Sequence, residues 1–524
     1  FNNFTLRNLN CSHKMKKPGL FLSFIPVIIL VAIIIVSIFV YKGEITSGPA
    51  QIALISAAVT GALIAMIKLK VPWEKLEQGM LENLSNAGVA IFILLMIGAL
   101  TASWIQSGVV PSLVYYGLEL ISPSVFLIVI FVFTAVISLM IGSSWTTVGT
   151  IGVAMISAGH VLGFHSGWLA GAIISGAYFG DKVSPLSDTT NLASSIAGAR
   201  LYDHVKYMLI TNIPAIIITA AIFTVAGFTI HANSNIDVAS QLTAIKGTYH
   251  ISPWLLLIPF FTIFLIIKKV SPFLTLFLSA VLAAVIACFV QPQITAQISP
   301  FALNDWKTYF YVPVKVISSH VDIVAGNDML TKLASTNGIA GMLNTIWIIL
   351  CVTAFGGIME AAGFIRKITE KMEVLMKNTV SLVSTTIGTC IFCNITLADQ
   401  YMAIIVPGKM LKKLYEEKGY EGRLLSRSLE DSATVTSVLV PWNTCGVMQS
   451  SVLGVPTLVY APYCFFNIIS PIMSIICAAI GFRIFKFNKP LMKWHCGISI
   501  AERDAKEAAA EAAKISVAMD KKVK

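Results

Sequence analysis

The chain has 524 residues, of which 56% are hydrophobic and only 12% are charged, and its formal net charge is +11. A soluble domain carries roughly a quarter charged residues, so this composition excludes an ordinary soluble protein. The positive charge does not indicate a nucleic-acid partner, because Lys and Arg fall in short groups beside apolar runs, as they do at the cytoplasmic ends of membrane spans.

Apolar runs about twenty residues long recur along the chain, and each is long enough to cross a bilayer as a helix. The strands of a transmembrane barrel would be shorter and would alternate apolar with polar side chains. The first run, 20–41, is too long for a signal sequence and no cleavage site follows it, so we interpret it as a retained span. The sequence therefore predicts an all-α polytopic membrane protein. The candidate spans are 19–41, 50–69, 87–106, 109–121, 124–142, 145–162, 167–180, 185–199, 207–230, 253–268, 272–290, 341–363, 379–393, 395–408, 432–452 and 455–484.

The basic groups predict how the chain is oriented and divided. Lysines beside spans are expected to be cytoplasmic and the long loops without them external, which puts both termini in the cytoplasm. The last stretch is rich in Ala, Glu and Lys, which favour helix. The expected parts are a cytoplasmic N-terminal segment (1–18), a first transmembrane half (19–230), external loops with connecting spans 253–290 (231–340), a second transmembrane half (341–484) and a cytoplasmic helical tail (485–524).

A strongly polar stretch, GAYFGDKVSPLSDTTNLA at 176–193, interrupts the apolar pattern. A carboxylate at the bilayer centre costs about 2.5–3.5 kcal/mol on insertion scales. Two carboxylates in one segment therefore indicate that they have a functional role. In a helix, positions 181, 184, 188 and 191 share one face. Pro185 is expected to break that helix and to free backbone carbonyl groups, and hard cations prefer such oxygen ligands. The candidate cation ligands are Asp181, Ser184, Ser187, Asp188, Thr189, Thr190 and Asn191.

Two alternatives stay open for this stretch. It could be an ordinary solvated loop, polar because it lies outside the membrane. Lys182 could pair with Asp181 or Asp188, or it could lie at the end of a span near the lipid headgroups.

Similar interruptions occur elsewhere in the chain. Upstream, GSSWTTVGT at 142–150 predicts the tip of a re-entrant hairpin. In the second half, CIFCNITLADQ at 390–400 precedes LEDSATVTSVLVPWNTCG at 429–446, which Pro441 is expected to break. Interrupted segments at corresponding places in two halves are typical of transporters built from inverted repeats. The further candidate residues are Ser143, Ser144, Thr146, Thr147, Asn394, Thr396, Asp399, Asp431, Thr434, Thr436, Asn443 and Thr444.

The stretch GDKVSPLSDTTNLA closely resembles the signature of the NhaC-type Na⁺/H⁺ antiporters, and a looser likeness extends from about residue 20 to 485. The resemblance implies a bacterial inner-membrane protein that exchanges cytoplasmic Na⁺ for external H⁺. It also implies two inverted-topology repeats with re-entrant hairpins and broken helices. Relatives of this type also exchange organic acids such as malate and lactate, so Na⁺- or H⁺-coupled organic-acid exchange is the alternative.

Other classes fit the residues less well. An intramembrane aspartyl protease needs two carboxylates on separate helices that share a proton, whereas Asp181 and Asp188 lie on one segment. No ATP-binding segment is present, so ion gradients are expected to supply the energy. We therefore predict a secondary transporter, not an enzyme, with Na⁺ and H⁺ as substrates, the lipid bilayer as its surroundings and no cofactor. In the expected alternating-access mechanism Asp181 and Asp188 hold Na⁺ until protons displace it, and a homodimer is left open.

Overall fold

The computed structural model describes residues 16–41, 48–120, 122–230, 238–268, 270–325, 331, 334–372 and 375–486. Within these residues the chain is helical, apart from two isolated β-bridges and the connecting segments. The fold confirms the predicted all-α class. Most of the expected N-terminal segment and helical tail lies outside the described residues.

The helices of the first half begin with three long elements and continue through shorter ones. They are α1 (Leu20–Val40), α2 (Pro49–Leu69), α3 (Trp73–Gln106), α4 (Val109–Leu120), α5 (Pro123–Ile141), α6 (Ser144–Thr147), α7 (Val153–Val161), α8 (Ser166–Val183), α9 (Asp188–Ala197) and α10 (Leu201–Thr229). A π-helical turn, Val148–Gly152, joins α6 to α7.

The central connection and the second half also consist of long and short helices. Their helices are α11 (Val238–Thr248), α12 (Leu257–Ile267), α13 (Pro272–Val290), α14 (Pro292–Ile298), α15 (Trp306–Ser318), α16 (Leu343–Ala361), α17 (Phe364–Met372), α18 (Thr379–Thr396), α19 (Gln400–Glu417), α20 (Gly422–Leu429), α21 (Val435–Ser437), α22 (Thr444–Leu453), α23 (Thr457–Tyr460) and α24 (Phe465–Ile480). A π-helical turn, Glu430–Thr434, joins α20 to α21.

Eight helices in the described part of the chain are long and apolar enough to cross a membrane, or up to ten if two bent pairs each count as one span. The bent pairs are Leu242–Thr248 with Pro253–Ile266, at 87°, and Thr457–Tyr463 with Phe465–Ile480, at 54°. The chain is therefore a multi-pass membrane protein, as predicted.

Two stretches of the chain share one order of helix boundaries. The pairs of first residues Pro123 and Thr379, Ser144 and Gln400, Ser166 and Gly422, and Asp188 and Thr444 are each separated by 256 residues. The turns between the first two helices also correspond, because Gly142 and Ala398 both have left-handed backbones, with φ of 73° and 52°. Each stretch is thus a helical hairpin followed by a helix that is interrupted near its end.

The two interrupted helices run in opposite directions. Gly167, at the start of α8, packs against Val459 and Tyr463, whereas Gly422, at the start of α20, packs against Ala197 at the end of α9. The path from α8 to α9 therefore approaches the place where α20 begins, and the path from α20 to α22 leads back. Inverted repeats require such an antiparallel course, and the inverted repeats with re-entrant hairpins stay a prediction.

One expectation about the first interrupted helix is wrong. Because α8 ends at Val183 and α9 begins at Asp188, Asp181 and Asp188 lie on different helices and no single helical face carries 181, 184, 188 and 191. Pro185 has no N–H group and its ring would clash with the carbonyl group of the preceding turn, so the helix stops before it. The chain instead makes a turn in which Ser187 N donates to Ser184 O at 3.2 Å.

Candidate functional site

The tip of the first hairpin binds the end of α8 through Asp181. The Asp181 carboxylate oxygen Oδ2 accepts hydrogen bonds from the backbone N and the hydroxyl of Ser144, at 2.9 and 2.7 Å. The left-handed backbone of Gly142 makes this tip, and a Cβ atom there would lie 2.7 Å from Cβ of Leu186. Asp181 is only 5% exposed, so the hairpin and the broken helix hold one buried carboxylate between them.

The other polar residues of this hairpin tip mainly stabilise its own backbone. Ser143 is the N-cap of α6, and its hydroxyl accepts from Thr146 N at 3.2 Å and from Thr146 Oγ1 at 3.1 Å. Thr147 Oγ1 donates to Ser143 O at 2.9 Å. These contacts satisfy the first turn of the helix and position Ser144 toward Asp181.

The carbonyl groups at the break accept hydrogen bonds from nearby side chains. Thr190 Oγ1 donates to Lys182 O at 3.0 Å, and Asn191 Nδ2 donates to Pro185 O at 3.0 Å and to Ser187 O at 2.7 Å. The predicted free carbonyl oxygens are therefore partly used by the chain itself. The remaining hydroxyls are close by, with Ser187 Oγ 3.1 Å from Thr189 Oγ1.

Asp188 lies differently from its expected place. It is the first residue of α9 and its side chain is exposed, as is that of Asn191. Asp188 is one of the predicted cation ligands, but the helix restarts at this residue and leaves its side chain exposed. The Ser184 hydroxyl, which is buried, accepts from Leu186 N at 3.2 Å and so serves the turn.

In the second half, side-chain amides of asparagine connect the hairpin tip to the break in the following helix. Asn443 caps α22 by accepting from Cys445 N at 3.0 Å, and its Nδ2 donates to Asn394 O at 3.1 Å. Asn394 Nδ2 in turn donates to Ala433 O at 2.8 Å and to Thr436 Oγ1 at 3.0 Å. The predicted residues Asn394, Thr436 and Asn443 are thus brought together, as links between segments.

Asp399 is the helix cap of the second hairpin. It accepts from Met402 N at 2.9 Å at the start of α19 and from Thr444 Oγ1 at 3.3 Å. Ser143 takes the corresponding place in the first half. Thr396 Oγ1 donates to Phe392 O within its own helix. Pro441 lies in the non-helical segment between α21 and α22.

A buried charged cluster joins the two halves. The Lys182 ammonium group forms an ion pair with Asp431 and donates to Ser470 Oγ at 2.6 Å. Thr211 Oγ1 donates to the same Asp431 oxygen, Oδ1, at 3.3 Å, and Arg427 Nε lies 4.0 Å from Asp431 Oδ2. Lys182, Arg427 and Asp431 are fully buried, and their opposite charges offset part of the cost of removing them from water.

Two expectations about basic residues are therefore corrected. Lys182 is fully buried inside the protein, and its ion-pair partner is Asp431 and not Asp181 or Asp188. Arg427, one of the basic residues that stand in groups beside apolar runs, is buried above the ring of Tyr207, 4.4 Å from its centroid. The ring face of Tyr207 and the carboxylate of Asp431 offset part of the free-energy cost of burying the guanidinium group.

Sequence reasoning did not select Lys182, Arg427 or Glu430 as site residues. A signal existed for Arg427, since it lies three residues before Glu430 and four before Asp431, which is the spacing of neighbours on a helix surface. No such signal existed for Lys182, whose partner is 249 residues away in the sequence.

A sequence profile of the Na⁺/H⁺ antiporter family matches residues 176–482, which includes both breaks and the charged cluster. The chain belongs to the Na⁺/H⁺ antiporter family. The resemblance noted from the sequence is thereby confirmed.

Three antiporters similar to the chain cover most of its length. It is 34% identical over 413 residues to the Na⁺/H⁺ antiporter NhaC of Bacillus subtilis, covering 78% of this chain and 87% of that protein. It is 33% identical over 458 residues to NhaC of Alkalihalophilus pseudofirmus, covering 87% of this chain and 95% of that protein. It is 34% identical over 436 residues to the malate-2H⁺/Na⁺-lactate antiporter of Bacillus subtilis, covering 83% of this chain and 90% of that protein. These relatives are antiporters, which confirms that the chain is a transporter and not an enzyme.

Proposed function

We propose that the chain exchanges Na⁺ for H⁺ across a bacterial inner membrane by alternating access. The observation that carries the proposal is the buried carboxylate of Asp181, which a hairpin tip holds at the break of a membrane helix. A carboxylate in the membrane interior is costly, and it marks an ion or proton pathway when it is retained. Two similar relatives bear the name Na⁺/H⁺ antiporter.

In the proposed cycle Na⁺ and H⁺ compete for the same site. Ionised carboxylate, hydroxyl and carbonyl oxygens bind Na⁺ from the cytoplasm, and protons displace the ion after the site has opened to the other side. The antiparallel interrupted helices supply the two packed units that such a movement needs. One shared carboxylate gives one proton per Na⁺, and two permit two protons per Na⁺.

Organic-acid exchange is the second candidate, and a specific observation favours it. The fully buried cations Lys182 and Arg427 lie on either side of Asp431, and cationic side chains recognise carboxylate substrates. A similar relative is named as a malate-2H⁺/Na⁺-lactate antiporter. However, Asp431 already neutralises one of these cations, so we place this candidate second.

Reconstitution into liposomes separates the two candidates. The purified protein is expected to move protons when a Na⁺ gradient is imposed in buffers that contain no organic acid. A matched sample with malate or lactate on one side tests whether the anion changes the rate. Proton movement that occurs only with the organic acid would replace the first candidate by the second.

A further inference from the structure

Glu430 is the acidic residue beside Asp431 in the π-helical turn that joins α20 to α21. Its side chain is fully buried. Within the part of the chain that the structure describes, neither of its carboxylate oxygens has a hydrogen-bond partner. This separates it from Asp431, which Lys182, Thr211 and Ser470 contact through one oxygen.

Glu430 interacts electrostatically with polar groups from both halves of the chain, among them the ammonium group of Lys182. They also include the hydroxyls of Thr434 and Thr189 and the carboxylate of Asp181. The Thr434 hydroxyl is itself fully buried and has no hydrogen-bond partner among the described residues. These oxygen-bearing side chains come from the end of α8, the start of α9 and the π-helical turn, and those of Glu430 and Thr434 are fully buried without hydrogen-bond partners among the described residues.

The charges of this region do not balance. The region holds three carboxylates, those of Asp181, Glu430 and Asp431, and two cations, Lys182 and Arg427, so one negative charge is left over when all five groups are ionised. Both cations lie within 4.0 Å of Asp431. An uncompensated carboxylate is expensive inside a membrane, whereas a bound monovalent cation removes the excess charge.

We infer that Glu430 supplies an anionic ligand for the transported cation, together with Asp181 and the hydroxyls of Thr189 and Thr434. Asp431 then acts as the counter-ion that holds Lys182 between the halves, and Asp188 lies outside the ligand set. The inference rests on the proposed Na⁺/H⁺ exchange and names a residue that completes its site. Small hard cations favour such a set of carboxylate and hydroxyl oxygens.

The test uses exchange of radioactive sodium against unlabelled sodium at a fixed pH, because this exchange requires cation binding without net proton movement. Glu430→Gln keeps the size of the side chain and removes its charge, so we expect the half-saturating Na⁺ concentration to rise at least about ten-fold. Glu430→Asp keeps the charge and is expected to restore part of the affinity. Glu416→Gln, which changes an exposed acid on α19, is the matched control and should behave as the wild type.

The outcomes distinguish this inference from the proposed function. A wild-type protein without Na⁺-driven proton movement would overturn the proposed function. A wild type that exchanges Na⁺ while Glu430→Gln has unchanged half-saturation would overturn this inference alone. If Glu430→Gln does not fold, Glu430→Asp decides: a shifted Na⁺ half-saturation supports the inference, and an unchanged one contradicts it.

Discussion

The ammonium group of Lys182 donates a hydrogen bond to the carboxylate of Asp431, and the two residues belong to different halves of the chain. Lys182 lies in the last turn of α8, and Asp431 lies in the π-helical turn after α20. Since α8 and α20 begin the two antiparallel interrupted helices, this ion pair ties the helices together near their centres. If one half moves relative to the other, the Lys182–Asp431 ion pair has to break or both residues have to move together.

The ion pair predicts a strong coupling between its two residues. Lys182→Met leaves Asp431 with only its 4.0 Å contact to Arg427, and Asp431→Asn leaves Lys182 without an ion-pair partner. We expect each change to lower the free energy of unfolding by about 3–5 kcal/mol. The double variant removes both charges and should recover much of that loss. Thermal unfolding of the four proteins in one detergent measures the coupling, and strictly additive losses would contradict the ion pair.

Close packing between α5 and α8 predicts a second effect on stability. Gly176 and Gly180 are one turn apart on α8, and a Cβ atom on Gly180 would lie 2.5 Å from Leu139 N and 2.7 Å from Ser138 Cβ. Small residues at this spacing let membrane helices approach closely. Gly180→Ala is therefore expected to cost about 1–3 kcal/mol through the forced separation of the helices.

The control for this packing prediction is Gly88→Ala on α3, because a Cβ atom there meets no heavy atom within 4 Å. This control should leave the unfolding temperature unchanged or raise it slightly, since Ala favours helix over Gly. Equal stability of the Gly180 and Gly88 variants would show that α5 and α8 do not approach as closely as described.

The sequence predicted the local breaks of this fold because their causes are local. Proline at 185 and at 441 lacks the N–H group that a helix needs, and Ser143 and Asn394 stand in polar interruptions of apolar runs. The helical spacing around Asp181 failed for the same reason, since a helical phase cannot be extended through a break to Asp188. Helical spacing predicts which residues share a face only within one continuous helix.

The charged cluster could not be predicted in the same way. Lys182 and Asp431 are distant in sequence, and their contact depends on how the two halves pack. Arg427 follows a group of lysines, which is typical of a cytoplasmic loop, and only the packing against Tyr207 reveals its burial. Long-range pairs of single residues leave no periodic signal in one sequence.

The two roles of Asn443 can be separated by substitution. Asn443→Ala removes both the cap of α22 and the bond to Asn394 O, and we expect it to lower the free energy of unfolding by about 1–2 kcal/mol. Ser187 is the N-cap residue at the corresponding position of the first half, although its own side chain makes no capping hydrogen bond there. Asn443→Ser restores a hydroxyl that can cap the helix but not the amide donor. Ser should therefore recover much of the stability, while both variants raise the KM for Na⁺ because the hairpin tip is released.

Thermal unfolding and Na⁺-dependent flux of the Asn443 variants are measured on the same preparations. A Ser variant as unstable as the Ala variant would mean that the cap is not what Asn443 contributes. Unchanged KM values in both would remove the second hairpin tip from the ion site.

The last prediction compares the two aspartates on either side of Pro185. Asp181→Asn keeps an oxygen that can accept from Ser144, so the protein should fold, but the side chain can neither carry a proton nor neutralise a cation. We expect Na⁺-driven proton flux in inverted vesicles to vanish from neutral to alkaline pH. Asp188→Asn changes an exposed carboxylate, so it should keep the maximal rate and raise the KM for Na⁺ only about two- to five-fold, through weaker attraction of cations. Loss of flux in Asp188→Asn with wild-type flux in Asp181→Asn would exchange their roles and make Asp188 the residue that binds the transported ion.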